Sequence, residues 1–309
     1  MILDFSQIPM NIDLWEKKPT IFRHQNNKVF YKHIKNHDSK PTILFIHGFM
    51  GSSYEFYHLF DALANDFNLV AADMLGFGLS EKREDYHYSV LDYAEIQASL
   101  CHILALDKVH LVAHDFGAMV ANQMLINHDE LVKTKRTIHF NIESVLFLAG
   151  EITPSERHFS IKERFMAGVL SQTLLPFIYS KSWFTEQFNA KTAQPIAEQD
   201  LNTLWKLASK QEGSKVFKKL SQLFKEYTFN GITRKNIRAN TLPKHLLYGT
   251  QDPSIADKQL QRYKDLMTNL SINQIEGVGH YPHLEKPTET ARYIKTFIEQ
   301  QEKEQTQSI

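Results

Sequence analysis

Three polar residues stand where apolar runs end, and their types and order suit nucleophilic chemistry. They are Asp115 in Ala113-His114-Asp115-Phe116-Gly117, Asp252 in Gly249-Thr250-Gln251-Asp252-Pro253, and His280 in Gly277-Val278-Gly279-His280. Asp115 follows an apolar stretch and opens a helical one. Small residues two before and two after it fit a tight strand-to-helix turn that lifts the middle side chain clear of the backbone. The same five residues also fit a plain helix N-cap, a position that favours Asp. The other two motifs separate these readings. A Gly-flanked His before the final helix is placed for a base, and an Asp on the loop after a strand can orient an imidazole.

The residue type decides the chemistry. A carboxylate, with an ordinary pKa of about 3.9, is ionised at neutral pH, whereas a hydroxyl needs a base to become a nucleophile. Asp115 would therefore attack an sp3 carbon bearing a leaving group and form an alkyl-enzyme ester. His280 would activate water against that ester, and Asp252 would hold the imidazole tautomer. Attack on an ordinary ester would give a mixed anhydride, which disfavours carboxylesterase activity. Cys101, the single cysteine, sits among Leu100, Ile103 and Leu104 with no motif around it and reads as a reduced core thiol.

The elements that must position these residues are legible as alternation. Residues 21–22 and 29–34 flank a polar Gln25-Asn26-Asn27 turn and read as a hairpin. Apolar runs at 43–46, 69–72, 109–113, 145–148 and 246–248 suit strands buried on both faces of a parallel sheet. A last strand is expected at about 271–275. Helical periodicity lies between them, at 54–64, 90–106, 117–126, 256–268 and 287–299. Strand and helix in alternation give an α/β fold. The pattern breaks between Gly150 and Lys244, a stretch of roughly 90 residues, too long for a loop. It carries Phe159, Phe165, Leu174, Phe177, Tyr179, Trp183, Phe184, Phe188, Trp205, Phe217 and Phe224. The expected division is a first core part at 1–150, a helical cap at 151–240 and a second core part at 241–309.

Composition excludes little else. The chain has 309 residues, with 35 Lys+Arg against 35 Asp+Glu, so nothing points to nucleic acid. Lys215, Lys218, Lys219 and Lys225 read as a solvated helix face. No stretch reaches the roughly 20 apolar residues of a spanning helix, and the N-terminus lacks the pattern of a signal peptide. The expected location is the cytoplasm. The fifteen histidines show no metal spacing, so neither a metal nor a cofactor is expected. His47 and His114 read as buried, hydrogen-bonded scaffolding and His283 as a surface residue. Oligomeric state is left open.

His47-Gly48-Phe49, Asp73-x-x-Gly76-x-Gly78-x-Ser80, the Asp115 turn and Gly279-His280-Tyr281-Pro282 resemble the α/β-hydrolase superfamily, in its epoxide hydrolase and haloalkane dehalogenase branch. Ser52-Ser53-Tyr54, Met74-Leu75-Gly76-Phe77-Gly78, the basic 133–136 stretch and Leu204-Trp205 look like the mesoderm-specific transcript subgroup. The resemblance covers the chain outside the cap interior. It implies an α/β-hydrolase fold, an Asp-His-Asp triad, and an oxyanion hole from the backbone N–H groups of Phe49 and Phe116. It also offers Glu151 as an alternative acid, since some haloalkane dehalogenases place theirs at the end of the earlier strand.

Leaving-group chemistry follows from the departures. The dehalogenase pattern has Trp directly after the nucleophile, and Asn after His-Gly or a second Trp in the cap. Phe116 and Phe49 stand at the two positions outside the cap and donate nothing from their side chains. The epoxide hydrolase pattern supplies a proton from cap tyrosines, for which Tyr179 and Tyr227 are candidates and Arg157-His158 a weaker one. Met50 stands where that pattern has Pro. An epoxide hydrolase acting on an apolar small molecule and water is therefore expected. The alternatives are a haloalkane dehalogenase with an atypical halide site and a ligand-binding protein with a retained but little-used triad.

Overall fold

The computed structural model describes Trp15, residues 20–150, Ile152 and residues 179–211, 213–223 and 231–307. Glu151, Tyr227, Arg157-His158, Lys225 and the cap residues Phe159, Phe165, Leu174, Phe177 and Phe224 lie outside the described residues.

Eight strands form one sheet: β1 (Thr20–His24), β2 (Asn27–Ile34), β3 (Thr42–Ile46), β4 (Asn68–Ala72), β5 (Lys108–His114), β6 (Asn141–Leu148), β7 (Lys244–Gly249) and β8 (Leu270–Ile275). Their order is β1-β2-β4-β3-β5-β6-β7-β8. The hairpin β1–β2 joins antiparallel to β4, and every later pairing is parallel. Strands β3, β4 and β7 are buried at every residue. The reason is the double covering. Leu44 and Ile46 of β3 face one apolar cluster, with the helices Val90–Ile103 and Gly117–Lys133, while Ile43 and Phe45 face the other. A strand with period-two side chains and two dry faces reads as a continuous apolar run. The edge strand β8 has a mixed exposure pattern instead.

Register brings the site together. Ile46 pairs with Ala113, His114 with Leu148, and Gly249 with Ile275. The C-terminal ends of β3, β5, β7 and β8 therefore share one edge, and the chain crosses from the β4 side of β3 to the β5 side there. This is the crevice where open parallel sheets carry their sites.

Over this edge lie helices Lys181–Asn189, Glu198–Ser209 and Gly213–Leu220. The Ser180 hydroxyl caps the first by accepting from the Trp183 N–H. Their apolar faces are buried through Phe184, Phe188, Leu201, Leu204, Val216 and Phe217. Lys215 and Lys219 point to solvent, as their spacing predicts. The aromatic faces reach the core directly: Phe217 lies 5.7 Å from Phe49, and Phe188 stacks on Tyr281 at 4.8 Å. No helix among the described residues is long and apolar enough to cross a membrane.

Candidate active site

The bend after β5 is strained. Asp115 has φ of +46°, a left-handed conformation costing about 1–3 kcal/mol for a residue with a Cβ. Packing holds it there. A Cβ on Gly117 would lie 2.3 Å from the Ile46 carbonyl oxygen, and one on Gly48 would lie 2.7 Å from His114 Nδ1. Only glycine lets β3 and the bend approach this closely. The helix Gly117–Lys133 begins directly behind Asp115, so its N-terminal dipole favours an anion there.

Asp115 keeps 7% of its surface exposed. The Phe49 N–H donates to its Oδ2 at 3.1 Å, and its Oδ1 lies 3.3 Å from His280 Nε2. That second contact lacks hydrogen-bond alignment. His280 is fully buried, and its Nδ1 faces Asp252 Oδ2 at 2.9 Å. Asp252 is itself fixed by the Ser254 N–H, which donates to Oδ1 at 2.7 Å. The structure thus brings Asp115, His280, Asp252, Phe49 and Phe116 together.

Charge follows from these contacts. Burial pushes the Asp115 carboxyl up, but His280, Lys191 and His114 outweigh it and hold it well below the usual carboxylate range. Burial pulls His280 down, yet Asp252 and Asp115 bring the imidazole up to about 9, against the opposing charge of Lys191. At neutral pH the resting site is therefore an imidazolium between two carboxylates.

The loop carrying His280 is braced from two sides. A Cβ on Gly249 would lie 2.1 Å from the Val278 carbonyl oxygen, so the Asp252 and His280 loops close on each other. The His280 N–H donates to the Lys191 carbonyl at 2.8 Å. The Glu285 carboxylate accepts from the N–H groups of Gly279, Tyr281, Ala193 and Gln194. This ties the segment over the sheet to the histidine loop.

Tyr179 reaches Phe49 through Phe217, with ring centroids 4.8 Å from Phe217, and also contacts Trp183 and Trp205. Burial raises its phenol above the ordinary range. His47 is scaffolding as expected: its Nδ1–H donates to the Gly48 carbonyl and its Nε2 accepts from the Met74 N–H. The expectation for His283 is overturned. It is fully buried, because Pro282 opens a short helix, Pro282–Glu285, that turns the ring inward. There it packs 4.4 Å from His114 and 5.3 Å from Phe56.

Sequence reasoning missed the partner of His114. Glu55, also buried, accepts from His114 at 2.8 Å and from the Gly48 N–H at 3.0 Å. Glu55 lies at the 3-10 start, Ser53–Phe56, of the expected 54–64 helical stretch, but periodicity does not reveal a partner 59 residues away. Glu55, His114 and His283 each offer a ligand atom within 4.8 Å of the others, but the Glu55–His114 pair is already hydrogen-bonded.

Comparison with known proteins places the chain in a family. The human mesoderm-specific transcript homolog protein is 27% identical over 301 residues, covering 91% of this chain and 86% of that protein. Epoxide hydrolase 1 of Caenorhabditis elegans is 23% identical over 270 residues, covering 84% of this chain and 65% of that protein. The solved structure of the haloalkane dehalogenase DbeA-M1 loop variant from Bradyrhizobium elkanii superposes with a TM-score of 0.76 at 17% identity, covering 94% of this chain and 99% of that one. A likeness at that identity speaks to the fold alone. Residues 41–287 match the alpha/beta hydrolase fold family. That stretch takes in every strand end that carries the site, from β3 to the loop after β8, and the chain belongs to the α/β hydrolase fold family.

Proposed function

We propose that the chain is an epoxide hydrolase acting on an apolar small molecule through a covalent ester at Asp115. The observation that carries this reading is the placement of Asp115. Its carboxylate sits at a strained bend, with one oxygen held by the Phe49 N–H and the other 3.3 Å from His280 Nε2. A charged oxygen so held is aimed at an electrophile, with a base beside it for the second step.

Attack by Asp115 on a ring carbon breaks the C–O bond and leaves an alkoxide, which takes a proton from a phenol. Tyr179 is the candidate donor among the described residues, and Tyr227 remains the other. Esterification removes the Asp115 charge, which weakens the hold of His280 on its proton, and that proton passes through solvent to the phenolate and restores the phenol. Once neutral, the imidazole takes a proton from water as the hydroxide adds to the ester carbonyl. The oxyanion that forms is stabilised by the backbone N–H groups of Phe49 and Phe116. Collapse returns the carboxylate and releases a diol. Asp252 holds the imidazole throughout, and the helices Lys181–Asn189, Glu198–Ser209 and Gly213–Leu220 bring an apolar cap face to the site.

A dehalogenase would need donors for a departing halide, and Phe49 and Phe116 supply none from their side chains. A relative named as an epoxide hydrolase over 84% of this chain also favours the epoxide reading. The test is trapping. His280→Gln should form the ester and fail to hydrolyse it, so aryl or alkyl epoxides should leave a mass adduct on Asp115. Adducts from haloalkanes alone would move the assignment to a dehalogenase. Tight ligand binding with no adduct across both panels would point to a binding protein instead.

A further inference from the structure

Donor and acceptor counting places two protons on the His114–Glu55 pair. Its ring is buried, and both nitrogens face oxygen. Nδ1 lies 2.8 Å from Glu55 Oε1, and Nε2 lies 3.1 Å from the His280 carbonyl oxygen. A carbonyl only accepts, so Nε2 carries a proton. Glu55 Oε1 also accepts from the Gly48 N–H at 3.0 Å. A second proton must therefore lie on the line between Nδ1 and Oε1. The contrast with His47 is direct, since one nitrogen of His47 accepts from a backbone N–H and the ring needs one proton only.

We propose that His114 is a permanent imidazolium paired with the Glu55 carboxylate, a fixed positive charge behind Asp115 that keeps the nucleophile ionised in its buried bend. The proposal rests on Asp115 being the nucleophile. His114 acts through Asp115 and through the His280 carbonyl, so it is a positioning residue. An oxygen that accepts two N–H bonds in a dry site favours the carboxylate form, and an ionised partner makes both bonds stronger. Glu55 Oε2 has no hydrogen-bond partner among the described residues, so Oε1 carries both bonds. His283 approaches Glu55 Oε1 at 3.8 Å. Burial, together with His114, His280 and His58, drives its pKa well below the ordinary value, so His283 is neutral and does not carry the charge. Tyr281 and His280 flank the His114 ring at 5.3 and 5.2 Å. From the segment over the sheet, Lys191 adds a second positive charge that acts on Asp115.

The experiment has two arms. Nitrogen-15 labelling of histidine in the wild-type protein should show both His114 ring nitrogens protonated from pH 6 to 8. The second arm is Glu55→Gln, which keeps an oxygen for the Gly48 N–H and removes the counter-charge. His114 should then become neutral, and Asp115 should be harder to ionise. The acid limb of ester formation, read in the His280→Gln background, should move up by about one pH unit. A neutral His114 in the wild type overturns the proposal, whether or not the variant folds. So does an unmoved acid limb in a folded Glu55→Gln protein, or a stoichiometric metal ion on these residues in the purified protein. Failure of any adduct on Asp115 would instead sink the nucleophile reading and leave the nitrogen-15 result standing.

Discussion

Asp252 and His280 belong to one hydrogen-bonded pair, yet their loss should read differently. Replacing His280 removes the base, whereas Asp252→Asn leaves the imidazole in place with a changed partner. Asp252 Oδ2 lies 2.9 Å from His280 Nδ1, and an amide there can present N–H to a nitrogen that must itself donate. That tautomer error costs triad enzymes up to roughly 10⁴ in turnover. Under the epoxide hydrolase reading, the loss should fall on the second step. Asp252→Asn should form the Asp115 ester at a rate near wild type and hydrolyse it at least about 10²-fold more slowly. Rapid-quench mass spectrometry reads the two steps separately. Equal slowing of both would mean that Asp252 serves ester formation as well.

At the scale of elements, the bend between β5 and its helix depends on the absence of one methyl group. Gly117→Ala would set a carbon 2.3 Å from the Ile46 carbonyl oxygen, which is backbone of a central strand and cannot move freely. Overpacking of this kind costs about 1–3 kcal/mol. Urea denaturation should show that loss, and ester formation should drop further because Asp115 shifts with the bend. A variant of wild-type stability would mean that β3 yields more easily than a central strand should. This bend was legible in the sequence because small residues at positions 113 and 117 have a steric reason. The strands were legible too, since double covering makes each an unbroken apolar run. Glu55 and His283 were not. His283 lies in a single turn of helix, where four residues carry no period, and the burial of both depends on contacts between segments far apart in the chain. Tyr179 was visible as a cap aromatic, but its path to Phe49 through Phe217 depends on contacts between segments far apart in the chain, which spacing alone does not fix.

For the whole molecule, the charged site links catalysis to stability. His280 is raised to about 9 in the folded chain from an ordinary value of 6.5. A group whose pKa is raised by folding stabilises fully below its unfolded value and loses that contribution as pH climbs through its folded value. Asp115 has the opposite sign. Its pKa is depressed by folding, so its contribution holds above the ordinary carboxylate range and is lost only in strong acid. Between about pH 4 and 6.5 both contributions are complete, and from there to about 9 the His280 part drains away. Wild-type urea midpoints should therefore decline across pH 6.5 to 9 more steeply than those of His280→Gln. The difference between the two proteins should be flat between about pH 4 and 6.5, provided the denaturant slopes match, and should change again in acid, where Asp115 titrates without His280 beside it. Other ionisable groups titrate in both proteins and largely cancel in that difference. Parallel curves across the range would mean that His280 is not held protonated by its carboxylates. The coupling in which esterification of Asp115 releases the base would then have no charge to act on.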